Sequence, residues 1–66
     1  MTNKLKVLRA IKNISQEELA KMIQVSRQTI NAMEKGKYVP STILALKLSR
    51  FFDVPVTEIF QLEEID

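Results

Sequence analysis

The chain contains no cysteine and no histidine in its 66 residues. Without cysteine there is no disulfide and no thiolate metal site. Without histidine, imidazole ligation and imidazole acid–base chemistry are excluded. No run approaches the ~20 apolar residues that a membrane span requires. No secretory signal pattern is present either, so a cytoplasmic location is expected. A single glycine and two prolines leave the chain sparsely punctuated. No linker, low-complexity stretch or internal repeat interrupts it. β-rich runs of useful length are also missing, which leaves helices as the main regular structure available.

What is present suits one small folded domain. Apolar residues make up 45% of the chain, enough to argue against disorder. A domain this short buries only about 60% of its unfolded surface, so stability is marginal and a partner chain is an ordinary remedy. The net charge of +2 hides a split. Residues 1–50 hold all ten Lys and Arg against three acids, a balance of +7. The last sixteen positions hold Asp53, Glu58, Glu63, Glu64 and Asp66 and no base, a balance of −5. A basic body points to a polyanionic partner, set against the plain alternative of a solvated charged surface.

The periodicity predicts five short helices. The first runs from about Asn3 to Asn13, capped by Thr2 or Asn3, with Leu5, Leu8, Val7 and Ile11 on its apolar side. Ser15-Gln16-Glu17-Glu18 has the Ser-x-x-Glu form of a capping box and opens a helix from Gln16 to Ile23. Leu19, Ala20 and Ile23 share one face of it. Ser26 caps a third helix, Arg27 to Lys35, with Ile30 and Met33 inward, and Gly36 supplies its left-handed end. Pro40 keeps Tyr38-Val39 out of a helix, and Ser41 caps a fourth, Thr42 to Phe52, with Ala45, Leu48 and Phe52 inward. Val54-Pro55 breaks it. A last short helix, Val56 to about Phe60, buries Val56, Ile59 and Phe60. The expectation is a single all-α domain with its core in residues 3–61 and an acidic tail at 62–66. The segment from Gln61 onward is expected to fray, with a short strand against residues 1–4 as the alternative.

Only Gln24-Val25-Ser26 joins the second helix to the third. So short a turn forces a sharp crossing, and a close crossing favours a small residue such as Ala20. The outward face of the third helix then carries Arg27, Gln28, Asn31 and Lys35. Those side chains suit a DNA groove: Arg donates twice to guanine, and Gln or Asn pairs bidentately with adenine. Ser26 and Thr29 can reach a phosphate or a base edge. Gln16 opens the second helix, where amides and dipole favour phosphate. Lys35, Lys37 and Tyr38 lie just past the recognition face. The plain reading of each is a solvated helix surface, and Ser15 and Ser26 are primarily caps. Neighbouring acids such as Glu17/Glu18 and Glu63/Glu64 do not share a helix face, and no serine has a positioned base. No phosphate loop or dinucleotide fingerprint occurs. An enzyme is not expected, nor is a cofactor or a metal.

The run Ser15-Gln16-x-x-Leu19-Ala20-x-x-Ile23-x-Val25-Ser26-Arg27-Gln28-Thr29-Ile30-x-x-Met33-Glu34-x-Gly36 resembles the phage-repressor/Cro family of helix-turn-helix regulators. Pro40-Ser41 and Val54-Pro55-x-x-x-Ile59-Phe60 match the same pattern, so the resemblance spans residues 3 to 61. It implies a five-helix fold and a recognition helix in the major groove. Its base-reading positions fall on Ser26, Arg27, Gln28 and Asn31. Its phosphate positions fall on Gln16, Lys35 and Lys37, with Thr29 and Tyr38 beside them. It also implies an internal ion pair between Arg9 and Glu34, which removes Arg9 from the DNA-facing set. The chain departs from the pattern twice. Gln24 stands where such motifs often have Gly, at a cost of roughly 1–2 kcal/mol if the backbone there is left-handed. Ala32 stands where some relatives carry a polar reader.

One recognition helix reads about four or five base pairs, and a single module buries only ~600–1,000 Å² of protein surface. A two-fold dimer places two such helices ~34–36 Å apart on DNA. The expected protein is therefore a homodimeric repressor on a palindromic operator in double-stranded DNA, without a small-molecule effector. Its interface is expected at the acidic end, through Ile43, Phe51, Leu62 and Ile65. Two other readings stay open: an antitoxin, which would need a toxin-binding extension beyond the few residues after the last helix, and a helical protein–protein module.

Overall fold

A serine opens each of the three central helices. A computed structural model describes residues 1–66 and contains, in order, β1 (Thr2–Asn3), α1 (Leu5–Lys12), α2 (Gln16–Ile23), α3 (Arg27–Glu34), α4 (Thr42–Phe52), α5 (Val56–Ile59) and β2 (Phe60–Gln61). The Ser15 hydroxyl accepts from the Glu18 amide at 3.0 Å, and the Glu18 carboxylate accepts from the Ser15 amide at 2.9 Å. This closes the capping box. The Ser26 and Ser41 hydroxyls each accept from the amide three residues on, at 3.1 Å. Each such cap stabilises its helix by about 1 kcal/mol.

The first helix begins two residues later than expected, because Thr2 and Asn3 are in a strand. Asn3 still secures the start of α1. Its Oδ1 accepts from the Leu5 amide at 3.1 Å while its Nδ2 donates to the Met33 carbonyl at 2.7 Å, joining α1 to the end of α3. The strand's partner lies in the segment expected to fray. Thr2 pairs with Gln61 and Asn3 with Phe60, antiparallel. The Lys4 amide extends the contact by donating to the Ile59 carbonyl at 2.9 Å. The Met1 ammonium lies 2.8 Å from Glu63 and 2.7 Å from Asp66. Fraying gives way because Phe60 packs against the core and the opposite end of the chain offers both backbone partners and a charge.

The core comprises Leu5, Leu19, Ala20, Ile23, Ile30, Met33, Leu44, Leu48, Phe52 and Ile59. Three expectations for the helix faces are corrected. Val7 and Ile11 are not on the buried side of α1 and stay 57% and 74% exposed. The inward stripe is Leu5, Leu8 and Arg9, spaced i, i+3, i+4, and Val7 and Ile11 fall on the opposite side of an eight-residue helix. On α4 the stripe is Leu44, Leu48 and Phe52, spaced by four, and Ala45 lies at its half-buried edge. Val56 and Phe60 are half-buried, leaving Ile59 as the α5 residue that reaches the core. No helix is long and apolar enough to cross a membrane.

Three helices end on left-handed residues: Asn13 at φ 55°, Gln24 at φ 63° and Asp53 at φ 56°. Asn and Asp accept this conformation readily, whereas Gln is the costly member. Gly36, at φ 73°, closes the end of α3 without that cost. Gln24→Gly should therefore raise stability by about 0.5–1 kcal/mol, roughly 2–8 °C in Tm. Thermal unfolding followed by circular dichroism checks this; an unchanged or lower Tm would contradict strain at the turn.

Candidate nucleic-acid interface

The left-handed Gln24 swings the chain from α2 into α3. The Gln24 and Val25 amides both donate to the Ala20 carbonyl, and Val25 packs against the core. Buried Ala20 leaves room for the two helices to approach, and a larger side chain there would overpack the crossing by about 1–3 kcal/mol. With Ile30 and Met33 buried, α3 turns Arg27 and Gln28 outward, fully in the exposed range, and Asn31 half-exposed. Arg27, Gln28, Asn31 and Gln16 line one open notch that contains no apolar side chain. This brings a residue from the start of α2 together with three from α3.

Below the notch lies a hydrogen-bonded cluster. The Arg9 Nε meets Glu34 Oε2 at 2.5 Å, and its Nη2 meets Glu34 Oε1 at 3.0 Å. Arg9 Nη1 also donates to the Ile14 carbonyl at 3.0 Å. The side chains are only 15% and 6% exposed. Gln16 Nε2 donates to Glu34 Oε1 at 3.1 Å and to Asn31 Oδ1 at 3.3 Å. Burial pushes the Glu34 carboxyl up, but the bonds from Arg9 and Gln16 outweigh it and hold the group below its ordinary value. The Glu34 carboxylate in turn raises the Arg9 guanidinium, mainly through their hydrogen bonds. Arg9 thus belongs to the interior, and it is the only one of the ten Lys and Arg side chains in an ion pair.

The other singled-out residues are placed as follows. Ser26 Oγ and Thr29 Oγ1 lie 2.9 Å apart at the first turn of α3. Lys35 caps the end of α3, and the Gly36 and Lys37 amides bond back to Met33 and Ala32, which pins the exposed loop carrying Lys37 and Tyr38. The amides of Gln16 and Glu17, ahead of the first intrahelical bond of α2, have no backbone acceptor. Of the four apolar residues expected at an interface, Ile43 and Phe51 are on α4 and Leu62 and Ile65 are on the tail. Phe51 is half-buried, stacked edge-on against Phe52 at 5.0 Å with the Lys12 ammonium 5.3 Å from its ring centre. Leu62 and Ile65 are exposed on the tail, and Ile65 borders a depression beside Met1 and Lys35. Ile43 is 69% exposed near the start of α4, and sequence reasoning missed Val39 and Leu46, which are exposed too and line one groove together. The i, i+3 spacing of Ile43 and Leu46 on a helix whose core stripe lies elsewhere was the signal that could have revealed them.

The helix-turn-helix family model matches residues 5–59. The chain belongs to that family, in its Cro-type branch, and is a transcriptional regulator with a helix-turn-helix DNA-binding domain. It is 56% identical, over 97% of both chains, to an uncharacterized HTH-type transcriptional regulator of Methanocaldococcus jannaschii. It is 40% identical to the HTH-type transcriptional activator BcrR of Enterococcus faecalis, over 94% of this chain and 30% of that protein. It is also 36% identical to the cryptic phage CTXphi transcriptional repressor RstR of Vibrio cholerae, over 88% of this chain and 52% of that protein.

The stability contributed by Glu34 is fully present above the ordinary glutamate range near 4.5 and is lost as pH falls below it, since the folded-state value is depressed. Glu34→Gln should cost about 2 kcal/mol at neutral pH and flatten the acid dependence. Urea titrations of both proteins from pH 7 to pH 3 check this; parallel acid slopes would contradict the assignment.

Proposed function

We propose that this protein represses transcription by occupying a palindromic operator as a homodimer, with α3 in the major groove. The observation that carries the reading is the notch of Gln16, Arg27, Gln28 and Asn31. Arg27 and Gln28 make no side-chain hydrogen bond or ion pair within the protein, so their donors and acceptors are free for base edges. In this reading Ser26, Arg27, Gln28 and Asn31 meet the bases. Lys35, Lys37, Thr29 and Tyr38 meet the flanking phosphates. Gln16 has both side-chain hydrogens engaged internally, so its phosphate contact comes from the free backbone amides at the start of α2. Repression requires only occupancy, which the DNA face by itself supplies.

A lone recognition helix contacts too little DNA for tight specific binding, which favours a dimer. Ile43, with exposed Leu46 three residues further along the same helix, is the apolar surface that best supports a two-fold contact, and Leu62 and Ile65 are exposed apolar residues on the tail. Phe51 contributes less, since its ring is already engaged by Phe52 and Lys12.

Arg27→Ala should weaken operator binding by about 1–3 kcal/mol and relax the preference at one base pair. Lys37→Ala should weaken all sequences alike and flatten the salt dependence. Equilibrium binding of each variant to operator and to random DNA at several salt concentrations separates the two roles. Equal loss on both DNAs for Arg27→Ala would sink base reading. Sedimentation at micromolar protein should show a dimer that Ile43→Asp dissociates. A wild-type protein that stays monomeric with and without operator would overturn the dimer.

A further inference from the structure

We infer that the depression between the end of α2 and the end of α4 seats the acidic tail of a second copy of this chain, with Glu64 of that tail facing Lys47 and Arg50. The inference rests on the reading of the protein as a homodimer through α4 and names a further contact between the two copies.

The depression is lined by Met22, Ile23, Gln24, Lys47, Arg50 and Phe51. It combines apolar side chains with two cations and has no carboxylate in its lining. Met22 is 64% exposed and Phe51 half-buried, so apolar area faces solvent there. Lys47 donates to the Gln24 side chain at 3.4 Å and pairs with no acid. The Arg50 side chain has no ion pair either. The Lys12 ammonium over the Phe51 ring adds a third positive charge at the edge. An occupant must therefore bring carboxylate and apolar side chains together.

The tail has that composition. Leu62 and Ile65 are the two most exposed large apolar residues, at 82% and 89%, and they alternate with Glu63, Glu64 and Asp66. Glu63 and Asp66 are held by the Met1 ammonium of their own chain, which leaves Glu64 without a partner. That clasp also fixes the tail near the start of its own α4, since Met1 borders one groove with Thr42 and Leu46 and another with Glu63 and Ile65. The depression lies at the opposite end of the same helix. A two-fold contact through Ile43 and Leu46 that sets the two α4 helices antiparallel places the start of each against the end of the other. It brings the tail of one protomer to the depression of its partner, and the reverse. Lys47 and Arg50 follow Ile43 and Leu46 at i, i+4, so the basic rim continues the same face of α4.

Sedimentation equilibrium of the full chain over a range of protein and salt concentrations tests the inference, using wild type, Arg50→Glu, Glu64→Lys and the double variant that carries both. Arg50 and Glu64 are exposed, so reversing either leaves the core intact. Each single reversal should weaken the dimer by about fivefold or more at low salt, and added salt should shrink the difference. The double variant restores opposite charges across the contact and should return to within about twofold of wild type. Dimer constants unchanged by the single reversals, in a protein that Ile43→Asp still dissociates, would overturn the inference while the homodimer stands, and would leave the depression to an acidic segment of another protein. A double variant as weak as the two single losses combined would overturn it as well, since the charges would then act independently. A wild type that stays monomeric at every concentration would defeat the homodimer reading and the inference with it.

Discussion

One carboxylate organises this domain. Glu34, on the last turn of α3, receives Arg9 from α1 and Gln16 from the start of α2. Arg9 also holds the Ile14 carbonyl in the turn between those helices. A chain of 66 residues has few apolar contacts to spare for orienting three short helices. Directional bonds to a nearly buried charge do that work at the edge of the core, where removing either partner would strand the other. The carboxylate also receives Gln16, one of the four residues that line the polar notch, so the group that holds the helices together also fixes one wall of that notch.

The second constraint is the three-residue turn. Left-handed Gln24 and buried Ala20 let α2 and α3 cross closely, and this projects Arg27 and Gln28 away from the core. The ion-pair pattern then sharpens the charge split noted in the sequence. Arg9 is neutralised inside, while Arg27, Lys35 and Lys37 have no carboxylate partner. At the other end, Glu63 and Asp66 are partly matched by the terminal ammonium. The other basic side chains are equally unpaired, so Arg27, Lys35 and Lys37 stand out by their place on α3 and the loop after it.

Much of the fold was legible because its signals are local. Ser15, Ser26 and Ser41 each bond an amide three residues away, so the starts of α2, α3 and α4 could be placed to the residue. Gly36 and the short Gln24 turn were readable for the same reason. The Arg9–Glu34 pair was legible only through the family resemblance, since nothing local links residues 25 positions apart. Val7 and Ile11 misled because α1 carries more apolar residues than one face of an eight-residue helix can bury. The four apolar residues assigned to an interface were chosen from composition near the acidic end, and composition does not say which of them share a surface.

The sequence by itself determined the class of the molecule: helical, Cro-like, with Arg27, Gln28 and Asn31 on one face of the third helix. Those properties depend on caps, periodicity and turn lengths, which act over a few residues. The tertiary structure decided the rest. It paired Thr2–Asn3 with Phe60–Gln61, which no periodicity links. It placed the Gln16 side chain between Asn31 and Glu34, bonded to both. Such contacts depend on how separate helices dock, and docking is settled by the packing of the whole core at once.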